Sequence, residues 1–241
     1  MSELRLDGIR SRALGPLELT LAAGELVFVS GPSGSGKSLL LRAIADLDPH
    51  AGEAWLGEEP RSSMPPAVWR RRVGLLPAEA FWWAETVGEH LPHDARGPGR
   101  GARSVSRLPP GRLGECVLPQ HAAHTGTPRP AIAIPVTVTA WLERLGFESD
   151  VLGWSVARLS TGERQRLALV RLLAQSPDAL LLDEPTANLD PINTDRVESL
   201  VQSYRHAHAA AVLWASHDPA QRTRLSGRSL VIRDGQLESE G

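Results

Sequence analysis

The chain has 241 residues, a formal net charge of −2 and 41% apolar residues, a composition typical of a folded globular domain. Its near-neutral charge provides no overall basic field for nucleic acid, and its single cysteine, Cys116, excludes an intrachain disulfide and fits a reducing compartment. We expect no signal peptide and no membrane span, because no run approaches the roughly 20 apolar residues that a span needs. Any membrane role would then come through a partner.

The first part of the sequence predicts short strands and one helix. The helix starts near Lys37, where apolar residues follow helical spacing, and a turn is predicted at Gly15–Pro16. Alternating or uniformly apolar runs predict strands at residues 4–10, 17–21, 24–30, 51–60 and 71–77.

The last part of the sequence alternates helices with strands. Helical spacing predicts helices at 138–146, 160–176 and 197–208. Apolar runs predict strands at 178–185, 210–218 and 229–237. Since the run at 178–185 does not alternate, it indicates a parallel strand covered on both faces. The order predicts an α/β fold with a mostly parallel sheet and an N-terminal antiparallel β region.

Residues 92–137 have a different character from both flanks. The window from 92 to 135 is rich in Gly, Arg and His and contains eight prolines, which break helices. It shows no sustained period, so we predict an irregular or disordered segment. Two origins stay open, a pair of compensating reading-frame shifts in the gene and a divergent loop.

A glycine-rich stretch between a predicted strand and a predicted helix has the phosphate-loop pattern G-x-x-x-x-G-K-S. Glycines let backbone N–H groups converge on phosphate oxygens, and the helix N-terminus adds partial positive charge. Lys37 would reach the β- and γ-phosphates and Ser38 would bind Mg²⁺. A mere serine-glycine turn would not need these two residues at these offsets. The candidate nucleotide-binding residues are Gly31, Pro32, Ser33, Gly34, Ser35, Gly36, Lys37 and Ser38.

The apolar run ALLLDEP ends in Asp183 and Glu184, two carboxylates at the carboxyl edge of the predicted sheet, where ligands bind in such folds. Asp183 would hold Mg²⁺ and Glu184 would polarise the attacking water. By itself, an acidic strand end facing solvent would explain the pair as well. The presence of Lys37 in the same chain favours the nucleotide interpretation.

Three further segments resemble motifs of ABC-type ATPases. LSTGERQR, at 159–166, is similar to the family's LSGGQ signature, PTANLD, at 185–190, resembles the D-loop, and His217 resembles the switch histidine. The resemblance implies one ABC-type ATP-binding domain over 1–241. It further implies a P-loop NTPase core in residues 1–91 and 160–241 and a degenerate helical subdomain in residues 92–159.

The resemblance also implies a dimer mechanism. Two domains face head to tail, and each ATP lies between one phosphate loop and the opposite signature. A serine hydroxyl and N–H groups at the start of a helix suit an anion. The signature residues would be Ser160, Thr161, Gly162 and Glu163. Catalysis would use Glu184, His217 and Lys37, with Asp190 as the D-loop aspartate.

Two motifs depart from the family pattern. Ala78 stands where the family usually has a glutamine that contacts Mg²⁺, so either Glu79 or water would replace that ligand. Thr161 and Glu163 stand where Gly and Gln are commoner in the signature. Because a carboxylate lies unfavourably close to phosphate, we expect Glu163 to point away from it.

Aromatic residues are also placed unusually. The family often stacks adenine on an aromatic residue near the first strands, and residues 1–25 contain none, so an aliphatic or arginine side chain such as Arg12 would carry the base. Trp82 and Trp83 are adjacent and cannot both face one side of a strand. One interpretation places one in the core and one partly exposed. The other is a docking platform for a partner's helix.

Together these features predict an ATP-binding and ATP-hydrolysing subunit that powers a separate transmembrane permease. It would use ATP and Mg²⁺, pair with a second ATP-binding domain, most simply its own copy, bind no nucleic acid, and lie in the cytoplasm on the inner face of the membrane. A soluble non-transport ABC ATPase and a nucleotide-binding module with impaired turnover stay open as alternatives. A GTPase or small-molecule kinase would leave LSTGE unexplained. The substrate and the direction of transport are not encoded in these motifs.

Overall fold

A computed structural model describes residues 3–91 and 138–239 of the chain. The predicted irregular segment at 92–137, including Cys116, lies outside the described residues. The helix predicted at 138–146 is present over Val138–Arg144, and Gly146, with φ of 78°, follows its end.

Strands and helices alternate along the described residues, as predicted. The strands are β1 (Leu4–Ser11), β2 (Leu14–Leu21), β3 (Leu26–Ser30), β4 (Ala51–Leu56), β5 (Glu59–Pro60), β6 (Val73–Leu76), β7 (Ala179–Asp183), β8 (Ala211–Ala215), β9 (Arg228–Arg233) and β10 (Gln236–Ser239). The helices are α1 (Lys37–Ile44), α2 (Pro66–Arg72), α3 (Val138–Arg144), α4 (Thr161–Leu173), α5 (Pro191–His208) and α6 (Pro219–Leu225). Short 3₁₀ turns lie at Arg61–Ser63, Val87–His90, Ser149–Gly153 and Val156–Arg158.

The strands form two sheets. The smaller sheet has the order β2-β1-β4-β5 and is antiparallel. The larger sheet has the order β10-β9-β3-β8-β7-β6, and its strands are parallel except β10. The predicted fold, a P-loop NTPase core with a mostly parallel sheet and an N-terminal antiparallel region, is confirmed.

Several local predictions were wrong. The turn expected at Gly15–Pro16 lies at residues 12–13, and both residues belong to β2. Helices α2 and α6 were not predicted, because each is only seven residues long and neither shows two full turns of apolar spacing. Helix α5 begins at Pro191, six residues before the predicted start.

The core lies on both faces of the larger sheet. Strands β3, β7 and β8 are fully buried, so successive residues enter opposite cores. Trp214 packs with α3, α4 and α5 residues on one face, and Leu213 packs with α1 and the smaller sheet on the other. Because β3, β8 and β7 are parallel neighbours, the loops after them meet at one edge, where the candidate site lies.

Candidate nucleotide-binding and hydrolysis site

The loop between β3 and α1 has a backbone that requires glycine. Gly31, Gly34 and Gly36 have φ values of 143°, 79° and 105°. A Cβ on Gly31 would lie 2.7 Å from Ser35 Oγ, and one on Gly36 would lie 2.7 Å from Leu14 Cδ2. The loop is therefore shaped by its own glycines and by a leucine of the smaller sheet.

Lys37 begins α1 and folds back over this loop. Its side chain is buried, and its Nζ donates hydrogen bonds to the carbonyls of Gly31 at 3.0 Å and Pro32 at 3.2 Å. These two bonds hold an ammonium group at the mouth of the loop. Phosphate oxygens placed there would meet both the ammonium and the N-terminal N–H groups of α1.

Asp183 is the last residue of β7, Glu184 follows it, and the imidazole of His217 follows β8. Asp183 is buried, and the next residue, Glu184, has a left-handed backbone with φ of 49°. Such a conformation is uncommon for a residue with a side chain and is often found at functional sites. Glu184 donates its N–H to the carbonyl of Ala215, and its Oε1 lies 3.0 Å from Nε2 of His217.

The environment of Glu184 shifts the pKa of its carboxyl group. Burial raises the pKa of Glu184 above its usual value, and the neighbouring Asp183 carboxylate raises it further, whereas His217 and Lys37 oppose this rise. A carboxylate whose pKa is raised is a stronger base near neutral pH than an exposed glutamate. The physical setting of Glu184 therefore suits proton acceptance from water.

One cleft brings together most of the predicted phosphate loop with the predicted metal and catalytic side chains, whereas Gly31, Pro32 and Ser35 do not line it. Its lining residues are Ser33, Gly34, Gly36, Lys37, Ser38, Leu39, Ala78, Asp183, Glu184 and His217. It contains a cation, a hydroxyl, two carboxylates and an imidazole, the groups that phosphoryl transfer to water requires.

The oxygen groups in this cleft fit a magnesium ion. Ser38 contributes a hydroxyl and Asp183 a carboxylate, both hard oxygen ligands. Among residues 3–91 and 138–239 there is no group of three or more His, Cys, Asp or Glu side chains that could hold a metal alone. Mg²⁺ typically binds through one or two carboxylates and completes its shell with phosphate and water, so the donor set matches that habit.

The loop after β6 places Ala78 in the cleft. Ala78 lines it, whereas Glu79 is exposed and is not among the lining residues. Gln165 of α4 donates a hydrogen bond to the carbonyl of Pro77 at 3.1 Å and so fixes this loop. The sequence gives no signal for this contact, because Gln165 appears there only as a polar residue in a helix.

The signature residues lie at the N-terminus of α4, outside the cleft. The Ser160 side chain accepts the N–H of Glu163 at 3.3 Å, and Glu163 Oε2 accepts both the N–H and the hydroxyl of Ser160 at 2.8 Å. This is a reciprocal capping box. The hydrogen bond from the Ser160 backbone lowers the pKa of Glu163, so its carboxylate is ionised at neutral pH. Thr161 is exposed.

Asp190 caps α5 at the end of the PTANLD segment. Its carboxylate accepts the N–H of Asn193 at 3.0 Å, and this bond lowers the pKa of Asp190. A Cβ on Gly162 would lie 3.0 Å from Leu189 Cδ2, so the signature lies next to this segment. Asp190 itself does not line the cleft.

The aromatic residues differ in exposure. Trp82 packs partly buried against the core, whereas Trp83 is 64% exposed. One tryptophan therefore faces the core and its neighbour faces outward. Arg12 is exposed in the turn between β1 and β2, two residues before the Leu14 that contacts Gly36.

The fold and this cleft define a nucleotide-binding protein of the P-loop class. A glycine loop joins a buried parallel strand to a helix, and an acidic strand end lies beside it at the carboxyl edge of the sheet. None of the helices in residues 3–91 and 138–239 is both long enough and apolar enough to cross a membrane.

Comparisons with known proteins identify the family within that class. The family model described as ABC transporter matches residues 14–187. The "Probable anion import ATP-binding protein" of Haloferax volcanii is 35% identical over 232 residues, which cover 95% of this chain and 74% of that protein. The "Probable iron export ATP-binding protein FetA" of Escherichia coli is 30% identical over 209 residues, which cover 86% of this chain and 79% of that protein.

Solved structures agree on the fold. A dimeric ATP-binding cassette in a post-hydrolysis state, bound to ADP and phosphate, superposes with a TM-score of 0.71 at 22% identity and covers 99% of this chain and 97% of that chain. The chain described here belongs to the ABC transporter family. The prediction of an ATP-binding, ATP-hydrolysing subunit of a transporter is confirmed at the level of that family, and the comparisons give no support to the alternatives of a non-transport ATPase or an impaired module.

Proposed function

We propose that this chain powers a transporter by binding and hydrolysing Mg·ATP in the cleft between the phosphate loop and the end of β7. The observation that carries the proposal is that Lys37, Ser38, Asp183, Glu184 and His217 line one cleft, although they come from three separate segments of the chain. Phosphoryl transfer to water depends on positioning and charge stabilisation, and this set supplies both.

Within the cleft each group has a separate task. The phosphate loop and Lys37 bind the terminal phosphates and neutralise their charge. Ser38 and Asp183 would hold Mg²⁺, which supplies Lewis-acid stabilisation of the phosphate oxygens when bound. Glu184 accepts a proton from the attacking water, and His217, 3.0 Å from its carboxylate, orients the water and the γ-phosphate.

A second ATP-binding domain completes the site, most simply a second copy of this chain. Ser160, Gly162 and the N-terminus of α4 do not line the chain's own cleft, and a phosphate bound at this end would have to displace the Glu163 carboxylate from the Ser160 N–H and hydroxyl. Head-to-tail pairing would place this end over the partner's ATP. Asp190 would lie at the same seam, since the preceding residue, Leu189, lies next to Gly162.

The surface that receives the membrane partner would include Phe81 and Trp83. Their side chains are 72% and 64% exposed and their rings stack at 6.4 Å between centroids. Arg171 supports them by donating to the Phe81 carbonyl at 2.9 Å and lying over the Trp83 ring. Exposed aromatic pairs on a rigid support are typical interface anchors.

Through this surface and a transmembrane permease, the chain would lie at the inner face of a membrane. The two relatives are named for import and for export, so they leave the direction open.

ATP-dependent dimer formation tests the proposal. Glu184→Gln slows hydrolysis while it preserves the side-chain shape, so we expect this variant to form a dimer with Mg·ATP in size-exclusion chromatography with light scattering. Adding Lys37→Ala should abolish the dimer, because the phosphates lose their cation. Adding Ser160→Ala should weaken the dimer without changing ATP binding to the monomer. A Glu184→Gln chain that binds ATP and stays monomeric would contradict head-to-tail closure.

Copurification tests the membrane-facing surface. We expect Phe81→Ser combined with Trp83→Ser to lose association with membranes that contain the partner, while ATP binding is unchanged. Val68→Ser is the matched control, because Val68 is also an exposed apolar residue, on α2. Equal membrane association of the double variant and the control would contradict the assignment of this surface.

A further inference from the structure

A buried glutamine of α6 lies behind the paired Glu184 and His217. Gln221 is 1% exposed, and its side-chain amide makes three hydrogen bonds. Its Oε1 accepts the hydroxyl of Ser216 at 2.7 Å, and its Nε2 donates to Thr186 Oγ1 at 3.0 Å and to Glu198 Oε1 at 2.7 Å. Every bond of the amide therefore ends on a different part of the fold.

Two of these partners adjoin the residues of the cleft. Ser216 directly precedes His217, and its Oγ also accepts the N–H of Asp218 at 3.1 Å. Thr186 stands two residues after Glu184. One amide group that does not line the cleft thus connects the loop that carries His217 to the loop that carries Glu184.

The third partner fixes the orientation of the amide. Glu198 of α5 is 4% exposed, and its carboxylate also accepts two hydrogen bonds from Arg224, at 2.6 Å and 3.1 Å. An ionised carboxylate can only accept, so the NH₂ of Gln221 faces Glu198 and its oxygen faces Ser216. Buried networks in which every polar group is satisfied hold one arrangement and are disturbed strongly when one member is changed.

We infer that Gln221 is a positioning residue for ATP hydrolysis: its amide holds the loops after β7 and β8 so that Glu184 and His217 stay in contact. The inference rests on the proposed function of that pair. It goes beyond that proposal because Gln221, Thr186 and Glu198 are not among the residues that line the cleft. Small displacements of Glu184 and His217 would change turnover strongly. ATP binding would change little, because the phosphate loop, which binds ATP, lies apart from this network.

Exchanging the side chains of Gln221 and Glu198 tests the inference. Gln221→Glu places a second carboxylate against Glu198, where the two oxygens would repel. We expect kcat to fall by roughly 10- to 100-fold while KM for ATP changes by less than about threefold. Adding Glu198→Gln places an NH₂ donor opposite the carboxylate introduced at position 221. It also removes one of the two hydrogen bonds that the half-exposed Arg224 donates to residue 198. The exchanged pair should recover kcat to within about threefold of the wild-type value.

Matched measurements separate positioning from folding. Thermal unfolding of each variant gives the folded fraction at the assay temperature, and kcat is expressed per folded molecule. Glu198→Gln alone keeps an oxygen facing Gln221 and should keep kcat within about threefold. An unchanged kcat in folded Gln221→Glu, or a folded exchange variant as slow as Gln221→Glu, would overturn the inference. If Gln221→Glu does not fold, the exchange variant alone decides by its kcat.

Glu184→Gln, assayed in parallel, separates this inference from the proposed function. Loss of turnover in Glu184→Gln with normal turnover in Gln221→Glu would overturn only the role of Gln221. Normal turnover in Glu184→Gln would overturn the proposed roles in the cleft, and the role of Gln221 would fall with them.

Discussion

His217 Nε2 lies 3.0 Å from Glu184 Oε1, although the two residues follow different strands of the sheet. Strands β7 and β8 pair in parallel with Asp183 opposite Ala215, so the residues that follow the strands emerge side by side. The pairing register therefore determines a contact that no local sequence pattern specifies. If Glu184 is the base and His217 its orienting partner, as proposed, hydrolysis would depend on that register, because the two groups must share one water molecule.

Removal of the imidazole should slow hydrolysis and spare ATP binding. We expect His217→Ala to lower kcat by roughly 10- to 100-fold, because the water and γ-phosphate lose an orienting group. Steady-state ATPase assays measure kcat, and fluorescent-nucleotide titration measures binding. His206→Ala is the control, since His206 is an exposed histidine on α5 away from the cleft. Equal rates for the two variants would argue against any role of His217 in turnover.

Glu184 should make the stability of the protein pH-dependent. Burial raises the pKa of Glu184 in the folded state above its value in the unfolded chain, so the folded state binds this proton more tightly. The contribution of Glu184 to the free energy of unfolding is fully present at a pH below its pKa in the unfolded chain. That contribution is lost as the pH rises through the higher pKa that Glu184 has in the folded state. Glu184→Gln cannot ionise and avoids that loss. We therefore expect Glu184→Gln to gain in melting temperature relative to wild type from acid to neutral pH, measured by thermal unfolding. A gain that shrinks as the pH rises would show that the sign is wrong.

Two glycines of the phosphate loop should differ in sensitivity. Gly36 and Gly34 both have positive φ, but a Cβ on Gly36 would lie 2.7 Å from Leu14 Cδ2, whereas a Cβ on Gly34 meets nothing within 4 Å. Gly34→Ala adds only backbone strain, and Gly36→Ala adds a clash as well. We expect Gly36→Ala to weaken Mg·ATP binding by at least about tenfold more than Gly34→Ala, as measured by calorimetry. Equal losses would mean that the contact with Leu14 does not shape the loop.

The capping box of α4 should contribute measurably to stability. Glu163→Ala removes the acceptor for the Ser160 N–H and hydroxyl, and we expect it to lower the free energy of unfolding by about 0.5–2 kcal/mol. Glu163→Gln keeps an acceptor at the same place and should lose less. Urea unfolding of the three proteins measures both values. A larger loss in Glu163→Gln than in Glu163→Ala would contradict the capping role.

The strand and helix types were predictable wherever apolar runs were long. The buried strand that ends at Asp183 and the helix that begins after Ser160 are where the sequence predicts them. The phosphate loop was also predictable, because its glycines are required by the backbone itself. Helices α2 and α6 escaped prediction because their few apolar residues do not recur at helical spacing, unlike those of the equally short α3.

Contacts between distant segments were beyond the sequence. The sequence left open whether Glu79 or water replaces the missing glutamine ligand, and only the course of the loop after β6 shows that Ala78, and not Glu79, lines the cleft. Gln221 showed no motif, because its function depends on Thr186 and Glu198, which become its neighbours only when α5 and α6 pack against the sheet. Sequence periodicity specifies which face a residue occupies and leaves its polar partners undetermined.

Isothermal titration calorimetry of the intact, folded chain with Mg·ATP tests the central claim most directly. We predict saturable binding of one ATP per chain, which Lys37→Ala abolishes while the variant keeps the wild-type circular dichroism spectrum. A folded wild-type chain that shows no binding of Mg·ATP would contradict the nucleotide site and, with it, the proposed driving of a transporter.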